Sequence, residues 1–384
     1  MTGKRLLAAF LGASLLLSGC GPAGGSQGAF DASSEENGKL KVAVTLFPYY
    51  DFVRQIAGDQ VDLQMVIPAG MDSHSFEPTP ADIRTIQHAD VLISNGGTME
   101  HWLEDTLGAL DTSNMTIVTM MDYVDTVEEE IVEGMEDAGH DHDHAHSHAA
   151  ADDHDHSHET PEEHAAHAQE ADDHDHSHET PEEHAAHAQE TDDHDHSDYV
   201  DHDGHEEAIE YDEHIWTSPV NAMKLVDVIG ETLAEADPAH AEVFRQGAAD
   251  YKKELEEIDA GFREVSRNRK RNMIVMGDKF PFRYLADEYQ LDYRAAFSGC
   301  SSDTEPSAKT IAYLIDKVKE EQIPVVYYLE LSSHRVSEII GEETGAEPLL
   351  LHSCHNVTRA QFDAGITYAG LMRQNIENLR KGID

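Results

Sequence analysis

The chain has 384 residues, more than one typical domain, and a formal net charge of −51. The acidity is concentrated, because residues 125–213 contain 34 Asp and Glu and no Lys or Arg. So acidic a chain repels phosphate backbones, and we therefore expect no nucleic-acid partner. Cations are the ligand class that this composition favours.

The first 20 residues are typical of an export signal, with Lys4 and Arg5 before a short apolar run. The run is too short for a transmembrane helix. Small residues before Cys20 predict cleavage there, lipidation of Cys20 and an extracytoplasmic protein anchored to the cell membrane. The alternative is a plain signal peptide in which this cysteine is incidental. Residues 21–38 are rich in Gly, Ser, Ala and Glu, which predicts a flexible stalk.

Strand and helix patterns alternate over residues 39–135. Lys39–Phe47 alternates as a strand does, and Thr79 before Pro80 predicts a helix that starts at Pro80. Such alternation favours an α/β lobe built on a parallel sheet.

A tract rich in His, Asp and Glu follows at residues 139–205 and holds 19 of the 27 histidines. The sequence ADDHDHSHETPEEHAAHAQE at residues 151–170 recurs unchanged at residues 171–190. The tract has almost no apolar residues to bury, so we expect it to be disordered without metal. Its imidazoles and carboxylates predict many weak metal sites, although a solvated linker that binds nothing is the alternative. The accessory ligands that we expect are His142, His144, His154, His156, His174 and His176.

Helical periodicity returns over residues 218–267, interrupted at Asp237 and Pro238. Residues 272–384 then repeat the alternation of strands and helices and end with a predicted helix at Arg359–Leu379. The chain therefore predicts two similar α/β lobes, each with a mainly parallel sheet and flanking helices, joined by a long helical element.

Two histidines stand out as candidate metal ligands outside the tract. His74 lies in a loop after a predicted strand, and His214 lies beside Trp216 just before the predicted helical region. A neutral imidazole at a strand end binds zinc well when a neighbour holds its other nitrogen. The alternatives are a solvated loop residue for His74 and a last, incidental histidine of the tract for His214.

A third group, His352, Cys354 and His355, directly follows the last predicted strand. Cys and His together favour zinc over manganese or calcium. Alternatively, Cys354 forms a disulfide with Cys300, as two cysteines outside the cell most often do. The sequence contains no His-Glu-x-x-His motif and no Gly-rich phosphate loop, so we expect a binding protein and not an enzyme.

Two segments resemble the zinc and manganese solute-binding lipoproteins of bacterial ABC transporters. They are PAGMDSHSFEPTPADIRTIQHADVLISNG around His74 and DEHIWTSPVNAMKLVDVIGETLAEADP around His214. The resemblance implies two α/β lobes joined by a long rigid helix, with the metal in the cleft between them. It also implies that His74 and His214 are ligands and that Zn²⁺ is delivered to a membrane permease.

The second half of the chain departs from the pattern of that family. Where members have a histidine or a glutamate as third ligand, this chain has MGDKFPFRYL, which offers Asp278 or Lys279. Where members have an aspartate after the last strand, it has LHSCHN. We therefore expect His352 or His355 to bind the metal, together with Asp278, while Cys300 pairs with Cys354. Glu330 is a further candidate in the cleft.

Two other functions fit the same sequence. One is a manganese-binding protein of the same transporter class. The other is a surface zinc buffer or adhesin-like protein that uses only the His-rich tract, with the lobes as its scaffold. In each case we expect a monomer.

Overall fold

The computed structural model describes Phe30 and residues 38–135, 210–301 and 305–384. The expectations for the signal peptide, Cys20, most of the stalk and the tract at 139–205 with its accessory histidines lie outside these residues. The described residues all belong to one compact unit.

The first lobe is built on a parallel sheet with the strand order β2-β1-β3-β4. Val42, Ala43 and Val44 of the central strand β1 are fully buried, as expected for a strand covered on both faces. Thr79 caps its helix through a capping box with Asp82, so the predicted start at Pro80 is confirmed. The strands and helices are β1 (Leu40–Val44), α1 (Phe47–Ala57), β2 (Val61–Met65), α2 (Pro80–Gln87), β3 (Val91–Ser94), α3 (His101–Gly108) and β4 (Thr116–Thr119).

Two long helices connect the lobes, α4 (Pro219–Ala236) and α5 (Ala241–Asn268). Ser218 caps α4 by accepting a hydrogen bond from the Asn221 backbone N–H. With 28 residues, α5 is about 42 Å long at 1.5 Å per residue. The buried face of α5 follows the helical period with Phe244, Ala248, Tyr251, Leu255, Ile258 and Phe262.

The second lobe repeats the topology of the first, with four parallel strands in the order β6-β5-β7-β8. The first strand of each sheet lies between the second and the third strand in both lobes. The prediction of two parallel α/β lobes with flanking helices is therefore confirmed. The elements are β5 (Met273–Phe280), α6 (Arg283–Tyr289), β6 (Asp292–Ser298), α7 (Ala308–Glu320), β7 (Val325–Tyr328), α8 (Arg335–Thr344), β8 (Glu347–Leu350), α9 (Arg359–Asp363) and α10 (Tyr368–Ile383).

The predicted closing helix is interrupted, because α9 and α10 are separate helices. Gly365 between them has φ +73°, a left-handed conformation that ends a helix and that glycine adopts without strain. Thr367 then caps α10 by accepting a hydrogen bond from the Gly370 N–H. The apolar period runs through both helices, so periodicity alone did not reveal the break.

Helix α5 packs against α4, against α1 of the first lobe and against α10 of the second. A Cβ at Gly247 of α5 would lie 2.1 Å from the Ile56 carbonyl oxygen of α1. The glycine is therefore needed where the two helices cross closely. None of the helices in the described part of the chain combines the length and apolarity needed to cross a bilayer.

Candidate metal site

Three histidines converge from separate loops of the fold. His74 follows β2, His355 follows β8, and His214 lies just before α4, separated from it by one 3₁₀ turn. One ring nitrogen from each lies within 4.8 Å of the other two. Tetrahedral Zn²⁺ holds nitrogen ligands at 2.0–2.1 Å, about 3.4 Å from one another, so small movements would suffice to close this group around zinc.

Each of the three histidines is held by an acceptor two residues earlier in the chain. The backbone N–H of His74 donates to Asp72 Oδ1 at 2.8 Å, and that of His214 donates to Asp212 Oδ1 at 2.8 Å. The His355 N–H donates to Ser353 Oγ at 3.1 Å. Such local turns fix the backbone from which each imidazole projects.

The His214 imidazole is buried, and Asp212 orients it. Its Nδ1 lies 3.2 Å from Asp212 Oδ1, and burial beside Trp216 restricts the ring further, with ring centroids 5.5 Å apart. When Nδ1–H donates to the carboxylate, Nε2 is left with a free lone pair for a metal. This is the arrangement of a metal-binding histidine.

His355 connects the second lobe to the loop that carries His74. Its Nε2 lies 2.5 Å from Ser73 Oγ, and its ring lies 5.5 Å from that of Trp216. The next residue, Asn356, donates from Nδ2 to the Pro68 and Met71 carbonyl oxygens of the same loop. The cleft is thus already bridged by hydrogen bonds at the site.

The environment keeps two of the imidazoles neutral. Burial, with the nearby positive charges that His214 and Lys279 can carry, lowers the pKa of His74 to about 4. Burial, with the positive charges that His214, His74 and Lys279 can carry, lowers the pKa of His355 well below its usual value. Neutral imidazoles have the free lone pair that a metal requires, so near pH 7 a cation need not displace a proton from either ring.

The three histidines line a cavity of about 410 Å³. Residues from both lobes surround it, with Met71 of the first lobe and Leu331 of the second as large, exposed apolar side chains. Asp278, Lys279 and Glu330 line it as well. The cavity therefore brings Asp278, Lys279 and Glu330 together with the three histidines, whereas His352, Cys300 and Cys354 are not among its lining residues.

Asp278 lines this cavity but does not belong to the three-histidine group. Its Oδ1 accepts a hydrogen bond from the Lys279 N–H at 2.9 Å, and its Oδ2 faces the Leu329 N–H at 3.4 Å. Glu330 is engaged similarly, because its carboxylate accepts from the backbone N–H and the hydroxyl of Ser353. Both carboxylates hold the backbone around the cavity.

His352 also lies outside the three-histidine group and is fully buried. Asn375 holds its backbone through two hydrogen bonds, because Asn375 Oδ1 accepts from the His352 N–H and Asn375 Nδ2 donates to the His352 carbonyl oxygen. Burial lowers the pKa of His352, so its neutral Nδ1 accepts the Cys354 N–H at 3.0 Å. The structure therefore gives His352 a structural position and His355 the position in the cleft.

The expected disulfide is absent, because Cys300 and Cys354 are both free. Cys354 is completely buried, and burial raises the pKa of its thiol. Cys300 lies on the loop after β6, where its N–H donates to Glu129, and burial raises its thiol pKa too. Among the described residues neither thiol joins the histidine group.

The sequence reasoning did not single out Ser73, Asp212 or Glu213. Glu213 is buried beside His214 and accepts hydrogen bonds from the Thr98 N–H and hydroxyl and from the Met99 N–H. This attaches the His214 segment to the first lobe. Asp72 and Asp212 lie two positions before His74 and His214, and this spacing in the sequence could have predicted the local turns.

The chain re-enters the described structure at Glu210, four residues before His214. Glu128 and Tyr211 form an antiparallel bridge, and the Asp212 N–H donates to the Val127 carbonyl oxygen at 3.0 Å. Residues 127–129 are therefore paired with residues 210–212, which lie within four residues of His214.

The sequence profile of the family described as "Zinc-uptake complex component A periplasmic" matches residues 42–382. The chain belongs to this family. Among curated relatives, the zinc-binding protein AdcA of Streptococcus pyogenes serotype M18 is 31% identical over 347 residues. That match covers 90% of this chain and 56% of AdcA, so the chain spans little more than half of that relative.

Two further relatives match over nearly their full length. The high-affinity zinc uptake system protein ZnuA of Bacillus subtilis is 26% identical, with 96% of this chain and 94% of that protein covered. The crystal structure of the Zn(II)-bound ZnuA-like domain of Streptococcus pneumoniae AdcA is 25% identical with a TM-score of 0.61. This match covers 90% of this chain and 99% of that domain.

Proposed function

We propose that this protein captures Zn²⁺ with His74, His214 and His355 and delivers it to the permease of an ABC importer. The observation that carries the proposal is the convergence of three ring nitrogens within 4.8 Å in a cavity between two lobes. The zinc-binding names of the family members support the choice of cargo. The protein binds and releases its cargo and catalyses no reaction.

Zinc is the favoured metal because the group consists of imidazoles. Manganese prefers sites rich in carboxylate and water oxygens, and no carboxylate of the described residues belongs to the group. Competition titration of Zn²⁺ against Mn²⁺ tests the choice, with zinc expected to displace manganese completely.

We also propose that the His-rich tract is an accessory collector of the metal that this site binds. Many weak, rapidly exchanging ligands beside one tight site raise the metal concentration there. The paired residues 127–129 and 210–212, next to His214, support this role.

We further propose that lipidated Cys20 anchors the protein outside the cell membrane, next to its permease.

The test uses a chain that lacks residues 139–205, so that weak binding by the tract does not mask the cleft. Calorimetric titration should show one tight zinc site per chain, and His214→Ala in the same background should abolish it. If the deletion alone removed all tight binding, the cleft would not be the site. A zinc buffer that uses only the tract predicts that His74→Ala with His214→Ala leaves zinc-dependent growth unchanged.

A further inference from the structure

Tyr284 of the second lobe is hydrogen-bonded to the segment that carries His214. It lies on α6 and is buried. Its hydroxyl donates to the Asp212 carbonyl oxygen at 2.7 Å and accepts from the Val127 N–H at 3.3 Å. Asp212 is the residue whose carboxylate contacts both the backbone and the ring of His214. A side chain of the second lobe therefore reaches the residue that orients a candidate ligand.

The Tyr284 hydroxyl completes a pair of antiparallel backbone segments. The Asp212 N–H donates to the Val127 carbonyl oxygen at 3.0 Å, as in a hydrogen-bonded antiparallel pair. In such a pair the Val127 N–H would donate in return to the Asp212 carbonyl oxygen. The hydroxyl of Tyr284 stands between these two groups and bonds to both. Buried backbone groups need such partners, so removing the hydroxyl would take away the contact that fixes Asp212.

The loop after β6, also in the second lobe, contacts the same aspartate. A Cβ at Gly299 would lie 3.0 Å from Asp212 Oδ2 and 3.3 Å from His214 Nδ1, so the glycine backbone packs directly against both groups. The next residue, Cys300, donates from its N–H to Glu129 at 2.9 Å, in the segment that pairs with residues 210–212. The second lobe therefore contacts the carboxylate of Asp212 as well as its backbone.

We propose that Tyr284 is a positioning residue of the zinc site, which holds Asp212 and, through it, the His214 imidazole. The second lobe then controls two of the three ligands, because it carries His355 and also orients His214. This inference rests on the proposed function, since it concerns the same three histidines. It adds the requirement that a tight site needs the second lobe packed against the Asp212 segment.

Zinc affinity of the full-length chain tests the proposal. Each variant receives half an equivalent of Zn²⁺, so that the tightest site fills first, and a chelator then competes for the metal. Tyr284→Phe removes the hydroxyl and keeps the buried ring, and it should weaken zinc binding about fivefold, less than removal of the orienting carboxylate itself. Tyr327→Phe is the matched control, because it removes a hydroxyl that donates to the Asn378 carbonyl oxygen between β7 and α10. It should leave zinc affinity unchanged.

A double variant shows whether the hydroxyl acts through the carboxylate. In a chain that already carries Asp212→Ala, Tyr284→Phe should cause less than about a twofold further loss of zinc affinity, because no carboxylate remains to be positioned. Losses that multiply in the double variant would overturn the proposal, and so would equal zinc affinities of Tyr284→Phe and Tyr327→Phe. The proposed function fails by a different result, in which His214→Ala binds the half equivalent of Zn²⁺ as tightly as the unchanged chain.

Discussion

The two lobes have the same strand order but contribute differently to the site. The first lobe carries His74 on a loop of its own and holds His214 through Glu213, whereas the second contributes His355. In the second lobe, His352 and Asp278 lie nearby but are bound to backbone groups. Topology thus brings loops of both lobes to one cleft, and the local hydrogen bonds decide which side chains are free to bind a metal.

Different carboxylates bind the backbone near His214 and near His355. Glu213 joins the His214 segment to the 3₁₀ turn before α3 through three donors on Thr98 and Met99. Glu330 accepts two hydrogen bonds from Ser353, two residues before His355, and its Oε1 lies 3.4 Å from His352 Nδ1. The Glu213 carboxylate therefore accepts one hydrogen bond more than the Glu330 carboxylate, and the following experiments test that asymmetry.

The largest expected effect is a loss of zinc affinity, and it should occur when His355 is replaced but not when its neighbour His352 is replaced. In the chain without residues 139–205, His355→Ala should weaken zinc binding at least about 100-fold, because loss of a ligand costs more than loss of its orienting partner. His352→Gln should change zinc affinity less than about threefold and lower the thermal stability instead. Competition with a zinc chelator measures both affinities. Equal losses in the two variants would contradict the assignment.

The Glu213 carboxylate, beside His214, should contribute more to the free energy of unfolding than the Glu330 carboxylate, which binds Ser353. Glu213→Ala leaves the buried Met99 N–H without its acceptor, and we expect the free energy of unfolding to fall by about 2–3 kcal/mol. Glu330→Ala should cost less, since it removes fewer hydrogen bonds. Urea unfolding compares the two variants. A larger loss for Glu330→Ala would reverse the asymmetry.

Glu100 of the first lobe should make its stability depend on pH. Burial raises the pKa of Glu100 to about 7, from 4.5 when unfolded. A raised carboxyl pKa favours the protonated folded state, so its stabilisation is present below pH 4.5 and is lost as pH rises toward 7.

The variant Glu100→Gln removes this titration and keeps an oxygen for the Asn95 and Gly96 N–H donors. Between pH 5 and pH 8 the unchanged chain should lose about 2 kcal/mol more than the variant. Urea unfolding at both pH values gives the difference. Parallel pH dependence in the two proteins would show that Glu100 does not titrate in this range.

The smallest expected effect is also on zinc affinity. It should distinguish Asp212, two residues before His214, from Asp72, two residues before His74. Asp212 contacts both the backbone and the ring of His214, whereas the Asp72 carboxylate bonds only the backbone N–H of His74. Asp212→Asn should therefore weaken zinc binding about tenfold, at the lower end of the effect of orienting partners. Asp72→Asn should leave it nearly unchanged. Chelator competition in the chain without residues 139–205 measures both, and a stronger effect at Asp72 would argue against ring orientation.

The sequence by itself determined the elements and the first two candidate ligands. Alternation and helical period depend on neighbours in the chain, so the strands and the start of α2 at Pro80 were predictable. His74 and His214 stood out because each lies in a loop next to a regular element, within a segment that resembles a known family. Gly365, which separates α9 from α10, was missed because the apolar period continues across it.

Only the tertiary structure separated His355 from His352 and left Cys300 and Cys354 unpaired. In LHSCHN, two histidines three positions apart have similar neighbours in the chain. Their roles are decided by distant contacts, with Ser73 at His355 and Asn375 at His352. The first contact forms only when the two lobes pack together, and the second forms only when α10 packs beside β8 within the second lobe. Neither kind of long-range pairing leaves a periodic signal in the sequence.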